Sequence, residues 1–198
     1  LQNRLVEAMI YFALFDEQTH EELRTLHAAQ RNRKAQTRQG VKYDTGETQG
    51  SGSPDTTNSN TVIPKFMDYV ACRKSGMTPR EAFDHEMLAS GDDGLTTNLD
   101  ISVLSEVASS MGHFLTFEVF RRGDHGVNFL NRIYGPDVWN GDTNSMCDVI
   151  RAMKKFHICP RKGDSRRQTR EENLKNKALS YGLTDLNSPI FKEILPNM

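Results

Sequence analysis

One tetrapeptide, Gly91-Asp92-Asp93-Gly94, constrains this chain more than any other feature. It lies between Met87-Leu88-Ala89-Ser90 and Leu95-Thr96-Thr97. Two short, partly apolar segments around a glycine-flanked pair of acids predict a tight β-hairpin with carboxylates at its tip, and Asp-Gly is a favoured hairpin turn pair. Adjacent carboxylates repel one another. A divalent cation removes that penalty, and hard carboxylate oxygens suit Mg2+. Gly91 and Gly94 leave room beside the acids for substrate phosphates. The competing reading is an ordinary exposed turn, where acids followed by glycine are common.

The flanking sequence predicts mostly helices. Leu1, Leu5, Met9 and Phe12 recur at helical spacing, and a short helix surrounds Leu23 and Leu26. Residues 33–48 are polar, with Gly40 and Gly46 as turn signals for a hairpin or loop. Val62, Ile63, Phe66, Met67, Val70 and Ala71 mark a buried helical face, which Pro64 is expected to delay or kink. Thr78-Pro79-Arg80-Glu81 is a helix start with a capping box, and Gly112 is the expected stop of a helix through Val103, Leu104, Val107 and Met111.

Beyond it, Phe114 to Phe120 reads as a strand and Val127 to Tyr134 as its return, with a turn at Arg121-Arg122-Gly123-Asp124. Met146, Val149, Ile150, Met153 and Phe156 form a helical stripe ended by Pro160, and 161–170 reads as a basic loop. A second capping box at Thr169-Arg170-Glu171-Glu172 opens a helix that Gly182 is expected to stop, and Ser188-Pro189 opens another.

Composition is that of an ordinary globular chain: 198 residues, 36% apolar and 26% charged, with a net charge of −1. Bulk charge therefore gives no argument for a nucleic-acid partner, and any such argument must come from local clusters. No apolar run approaches the ~20 residues that span a bilayer. Cys72, Cys147 and Cys159 are far apart and odd in number, which suits a reducing compartment. The chain begins with Leu1 inside a helical pattern, so a fragment of a longer protein is expected.

Upstream of the acids, Ser51-Gly52-Ser53-Pro54-Asp55-Thr56-Thr57-Asn58-Ser59-Asn60-Thr61 is a glycine-containing loop opening a helix. It offers hydroxyls at Ser51, Thr56 and Thr57 and an amide at Asn60. Thr56 and Asn60 are four apart and share a helix face. A hydroxyl and an amide together can read a ribose hydroxyl, the group that separates RNA from DNA. Ordinary helix capping by Ser and Thr explains the same residues without a ligand.

Ser-Gly-x-x-x-Thr-Thr-x-x-Asn followed about thirty residues later by Gly-Asp-Asp resembles palm motifs B and C of positive-strand RNA virus RNA-dependent RNA polymerases. The wording Ser-Gly-Ser-Pro-Asp-Thr-Thr and Gly-Asp-Asp-Gly-Leu-Thr is most similar to nodaviruses and noda-like viruses. Phe129-Leu130-Asn131-Arg132 resembles motif E, the primer-grip hairpin, and Cys147-Asp148 to His157 resembles the first thumb helix.

The resemblance implies an α/β (α+β) fold: a partial palm over 1–138, with a small antiparallel sheet backed by helices, then part of a helical thumb over 139–198. It implies template-directed RNA synthesis. Asp92 would ligate the catalytic metals with Asp93 assisting, and Ser51, Gly52, Thr56, Thr57 and Asn60 would contact the nucleotide. Two Mg2+ (or Mn2+) ions would be involved. The implied partners are an RNA template and nascent strand, nucleoside triphosphates and other viral replicase segments. The implied location is the host cytoplasm, in a replication complex anchored to membrane through regions not present here.

Several departures qualify that reading. The Asp-x4-Asp of motif A is missing and is expected within roughly twenty residues upstream of Leu1. The fingers and their basic residues are absent as well. A fragment lacking these parts is expected to be inactive alone. Where motif D usually offers Lys, Arg121 or Arg122 stands, a poor proton donor but a good phosphate ligand. Arg121, Arg122, Arg132, Lys154 and Lys155 are candidate RNA contacts, with a solvated charged surface as the plain alternative. Trp139 is expected to pack under the thumb rather than stack on a base. Reverse transcriptases and nucleotide cyclases also carry acid-tipped palms. Gly91 disfavours the first and the 51–60 segment the second. A non-catalytic palm-like RNA-binding or assembly module would need none of Asp92, Asp93, Thr56 and Asn60.

Overall fold

The computed structural model describes residues 2–50, 53, 55–158 and 169–194. The chain forms two compact units, Leu1–Phe117 and Glu118–Met198. Both mix helices with small antiparallel sheets, an α+β arrangement as expected. No helix among the described residues is long and apolar enough to cross a membrane.

In the first unit, α1 (Gln2–Leu14) and α2 (His20–Ala29) precede a hairpin of β1 (Lys34–Gln36) and β2 (Lys42–Asp44). Of the apolar stripe expected to bury α1, Leu5 and Met9 are exposed and Phe12 is half-buried against His20 and His27, whereas Arg4 and Glu7 are buried. Arg4 accounts for the reversal. Its Nη1 donates to Glu7 Oε2 at 2.9 Å and to Gln30 Oε1 at 3.2 Å, and its Nε to the Glu47 carbonyl at 3.4 Å. A buried charge is tolerated when it is paired and hydrogen-bonded in this way.

The 19-residue helix α3 (Thr56–Lys74) supplies the core. Its Ile63, Met67 and Ala71 pack against Val107 and Ala108 of α5 (Ile101–Ser110), with Val6, Val70, Leu99, Val103, Leu104 and Met111 around them. Pro64 neither delays nor ends α3; it removes the amide that would have bonded the Asn60 carbonyl, and the helix runs on. The helix closes at Gly76, where a φ of 94° lets Gly76 and Met77 amides bond back to Arg73 and Cys72 carbonyls. Gly112 ends α5 in the same manner, as the sequence predicts. Between these helices, α4 (Pro79–Asp84) carries the expected Thr78/Glu81 capping box and leads into β3 (Met87–Ser90) and β4 (Asp93–Thr96).

The expected strand over Phe114 to Phe120 is not formed. The segment has strand-forming side chains, but a strand needs a partner, and none is present among the described residues. Phe114 is left 96% exposed. The β3–β4 hairpin is accordingly two-stranded rather than part of a larger sheet.

In the second unit, Val127 to Tyr134 is itself a hairpin, β5 (Val127–Phe129) and β6 (Arg132–Tyr134), rather than one returning strand. Leu130 and Asn131 form its two-residue turn with φ of 53° and 59°, the doubly positive geometry that matches strand twist. β7 (Ser145–Cys147) joins the sheet, so Met146 lies on a strand and not on the following helix. That helix, α6 (Val149–Phe156), is capped by Asp148. α7 (Arg170–Thr184) begins at the predicted Thr169 capping box but passes through Gly182, and α8 (Pro189–Ile194) follows. Phe191 stacks on Tyr181 at 4.7 Å and, with Cys147 and Ala152, forms the core. Pro160 and nearly all of the basic loop lie outside the described residues.

Candidate active site

The acids sit where the sequence predicts, on a different turn pair. Ser90 pairs with Asp93, so Gly91 and Asp92 are the two central residues and Gly94 pairs with Ala89 inside the strands. Gly91 has φ of 64°, whereas Asp92 is not among the residues with positive φ. A turn with positive φ only at its first central position requires glycine there, and Gly91 meets that need better than an Asp93-Gly94 turn would. Asp92 is therefore in the turn and Asp93 opens β4. Both are exposed. Neither side chain has a hydrogen-bond or ion-pair partner among the described residues. Adjacent, hydrated, unpartnered carboxylates fit a hard divalent cation, as far as this chain's share of the ligands goes.

The hairpin is held against α3. The Gly91 amide donates to Thr61 Oγ1 at 2.8 Å, while Thr61 donates to the Thr57 carbonyl at 2.7 Å. This brings the acidic turn to the second turn of α3, one residue beyond Asn60. Thr57 is exposed and Asn60 half-buried. Thr56 closes the preceding loop by donating to the Gly50 carbonyl at 2.7 Å. Ser51 and Gly52 lie outside the described residues.

Asp55 organises the same corner. It accepts from Ser53 Oγ at 2.6 Å and from Gln30 Nε2 at 2.7 Å. Burial pushes its carboxyl up, but the Ser53 and Gln30 bonds, its own amide and Gln49 outweigh burial and hold it below the ordinary carboxylate value. Asp55 makes no side-chain capping bond to an α3 amide, but its Oδ2 accepts from Ser59 Oγ of α3 at 3.5 Å.

Sequence reasoning missed the residues beneath the hairpin. Asp68 is buried and accepts from Thr96 Oγ1 at 2.6 Å and from His85 Nδ1 at 2.8 Å. His85 Nε2 meets the Thr97 carbonyl at 2.9 Å. With Cys72 these form a group of three possible metal ligands within 4.8 Å of one another, a set suited to zinc rather than magnesium. The signal was available: Thr61, Lys65, Asp68 and Cys72 recur at helical spacing beside the apolar stripe of α3.

In the second unit, Arg121 and Arg122 occupy the predicted turn, where Asp124 accepts the Arg121 amide at 2.7 Å. Both are exposed, as are Lys154 and Lys155 on α6. Arg132 is differently placed. Its guanidinium holds both oxygens of the buried Asp185 at 2.8 and 3.0 Å, Ser145 Oγ at 3.1 Å and the Ser145 carbonyl at 2.7 Å. Most of its donors are thus engaged within the protein. Trp139 lies in a 3-10 turn (Pro136–Asn140), half-buried, its ring nitrogen buried without a partner among the described residues.

Comparison with known proteins finds no matching family model and no matching solved structure. Curated relatives do match. The RNA-directed RNA polymerase of striped jack nervous necrosis virus is 34% identical over 161 residues, covering 78% of this chain and 16% of the relative. That of Nodamura virus is 32% identical over 164 residues, covering 81% and 15%. That of Pariacoto virus is 32% identical over 197 residues, covering 96% and 19%. The chain thus spans less than a fifth of the length of these relatives. With the ordered motifs and this similarity along most of its length, the chain belongs to the nodavirus RNA-directed RNA polymerase family.

Proposed function

We propose that the chain supplies part of the palm (1–138) and the start of the thumb (139–198) of a polymerase that copies an RNA template by adding nucleotides to an RNA 3′ end. The observation that carries this reading is the bond from the Gly91 amide to Thr61, which ties the acidic turn to the helix bearing Thr56, Thr57 and Asn60. A metal-binding group and a ribose-reading group must stand together if one nucleotide is to meet both.

Asp92, assisted by Asp93, offers carboxylate oxygens to Mg2+ or Mn2+, and further ligands come from elsewhere in the full polymerase. Bound there, the metals would activate the 3′-hydroxyl and stabilise the leaving pyrophosphate. The chain's own residues bind and orient. Asn60 and the hydroxyls of Thr56 and Thr57 bind the ribose, and Ser51 and Gly52 are assigned to nucleotide binding by the family resemblance. Arg121, Arg122, Lys154 and Lys155 contact RNA phosphates, while Arg132 acts chiefly as a strut to Asp185. Other replicase segments cover exposed apolar side chains such as Phe114 and Leu183. The site of action is a host cytoplasmic replication complex, attached to membrane through other regions.

Ribose selection tests this reading without touching the acids. In the full-length polymerase, Asn60→Ala lowers the preference for ribo- over deoxyribonucleotides by about tenfold or more, because a lost hydrogen bond to the 2′-hydroxyl removes the basis of discrimination. The measurement is the ratio of kcat/KM for a matched pair of triphosphates. An unchanged ratio would refute the ribose-reading role.

A further inference from the structure

The polar stripe of α3 meets the acidic hairpin at both of its ends. At the tip, Thr61 accepts the Gly91 amide at 2.8 Å. Along the first strand, Lys65 Nζ donates to the Met87 carbonyl at 3.1 Å. At the base, one Asp68 carboxylate takes Thr96, the last residue of β4, and His85, two residues before β3. His85 then reaches across to the Thr97 carbonyl at 2.9 Å, closing the base from the other side.

A two-stranded hairpin of four-residue strands is marginal on its own, so its position is set by what it is tied to. The ties are of a kind that fixes position. The side chain of Asp68 is 4% exposed and that of His85 10%. A buried carboxylate is costly unless its lone pairs are satisfied, and here Thr96, His85 and, at 3.9 Å, Cys72 satisfy them. Both His85 nitrogens face oxygen atoms, Asp68 Oδ2 on one side and the Thr97 carbonyl on the other, which fixes the ring between helix and hairpin.

We propose that Asp68, through Thr96 and His85, and Thr61, through the Gly91 amide, are positioning residues that fix the height and direction of the hairpin so that its tip carboxylates meet the metal. This rests on the reading of Asp92 and Asp93 as metal ligands. It goes beyond that reading by assigning the placement of the hairpin to four side chains that never touch substrate. The Asp68–Cys72–His85 group is then a hydrogen-bond network and not a zinc site: Asp68 and His85 are already at direct hydrogen-bond distance, 2.8 Å.

The test uses the full-length polymerase and reads Mn2+ binding by electron paramagnetic resonance, beside the melting temperature and the zinc content of the purified protein. Thr96→Val and Asp68→Asn weaken Mn2+ binding by about tenfold, within the 10–100-fold range usual for groups that orient metal ligands. Thr96→Ser keeps the hydroxyl and restores affinity to within about twofold, whereas a merely structural loss would not follow the hydroxyl. Cys72→Ser leaves Mn2+ binding unchanged, and zinc does not co-purify. Should Asp68→Asn fail to fold, Thr96→Val and Thr61→Val carry the test, since each keeps the size of the side chain.

Wild-type Mn2+ affinity in folded Thr96→Val and Thr61→Val overturns the proposal, as does stoichiometric zinc that Cys72→Ser removes. Asp92→Ala separates the two layers. If it abolishes Mn2+ binding while the clamp variants do not weaken it, the clamp fails and the metal site stands. If it leaves Mn2+ binding intact, both fail.

Discussion

In the full-length polymerase, Asp92→Ala lowers single-nucleotide incorporation by about 10³-fold or more, because a lost metal ligand forfeits several kcal/mol of transition-state stabilisation and each ~1.4 kcal/mol is tenfold in rate. RNA affinity stays within about twofold, since binding is dominated by many phosphate contacts elsewhere. The loss cannot be charged to unfolding. Asp92 is exposed and makes no side-chain bond among the described residues, and such surface positions change stability by only about 0.5 kcal/mol. Rapid-quench primer extension paired with a filter-binding isotherm separates the two effects. Retained incorporation would remove Asp92 from the chemistry.

The largest effect on stability belongs to Arg132→Ala. Asp185 has a fully buried side chain, held by Arg132, by the Cys147 amide at 2.6 Å and by Thr184 Oγ1 at 2.6 Å. Removing Arg132 strands a buried carboxylate, which costs about 3 kcal/mol, the low end for a broken buried pair. The low end applies because the Arg132 side chain is 26% exposed and already partly hydrated. Burial pushes the Asp185 carboxyl up, yet Arg132, Thr184 and the Cys147 amide together hold it below the ordinary value. A folded-state value below the unfolded one stabilises the protein above the unfolded value, and that stability is lost as pH falls through the folded one. Arg132→Ala therefore lowers the melting temperature most at neutral pH, and the gap to wild type narrows as the pH falls through the unfolded carboxylate value toward the folded one. Melting curves at several pH values between 7 and 3 check both parts. A variant as stable as wild type across that range would show that Asp185 does not depend on Arg132.

Much of the local structure that carries the candidate site was legible in the sequence. A glycine-flanked acid pair between short strand-forming segments can hardly be anything but a hairpin, and the capping boxes at Thr78 and Thr169 mark their helices unaided. What was illegible depends on partners distant in sequence. The strand expected at Phe114 to Phe120 has the right side chains but no neighbour to pair with among the described residues. The α1 stripe reads as core until Arg4 finds Gln30 and Glu47 and turns the helix over. Arg132 reads as a free cation until Asp185, far along the chain, takes it. Asp68 was passed over because a carboxylate in a helix is usually solvated; its burial follows from the Thr96 and His85 contacts, which only the folded hairpin creates. Gly91 carries the turn rather than Gly94 because the observed turn needs positive φ at its first central position.

The claim beneath all of this is that the turn at Asp92 grips a divalent cation. Crystals of the full-length polymerase soaked in Mn2+ and measured at the manganese edge test it directly. The prediction is an anomalous peak roughly 2–2.3 Å from an Asp92 carboxylate oxygen, the distance expected for a hard octahedral cation on oxygen. A peak confined to Asp68, Cys72 and His85, or no peak beside Asp92 in crystals that hold manganese elsewhere, would contradict it.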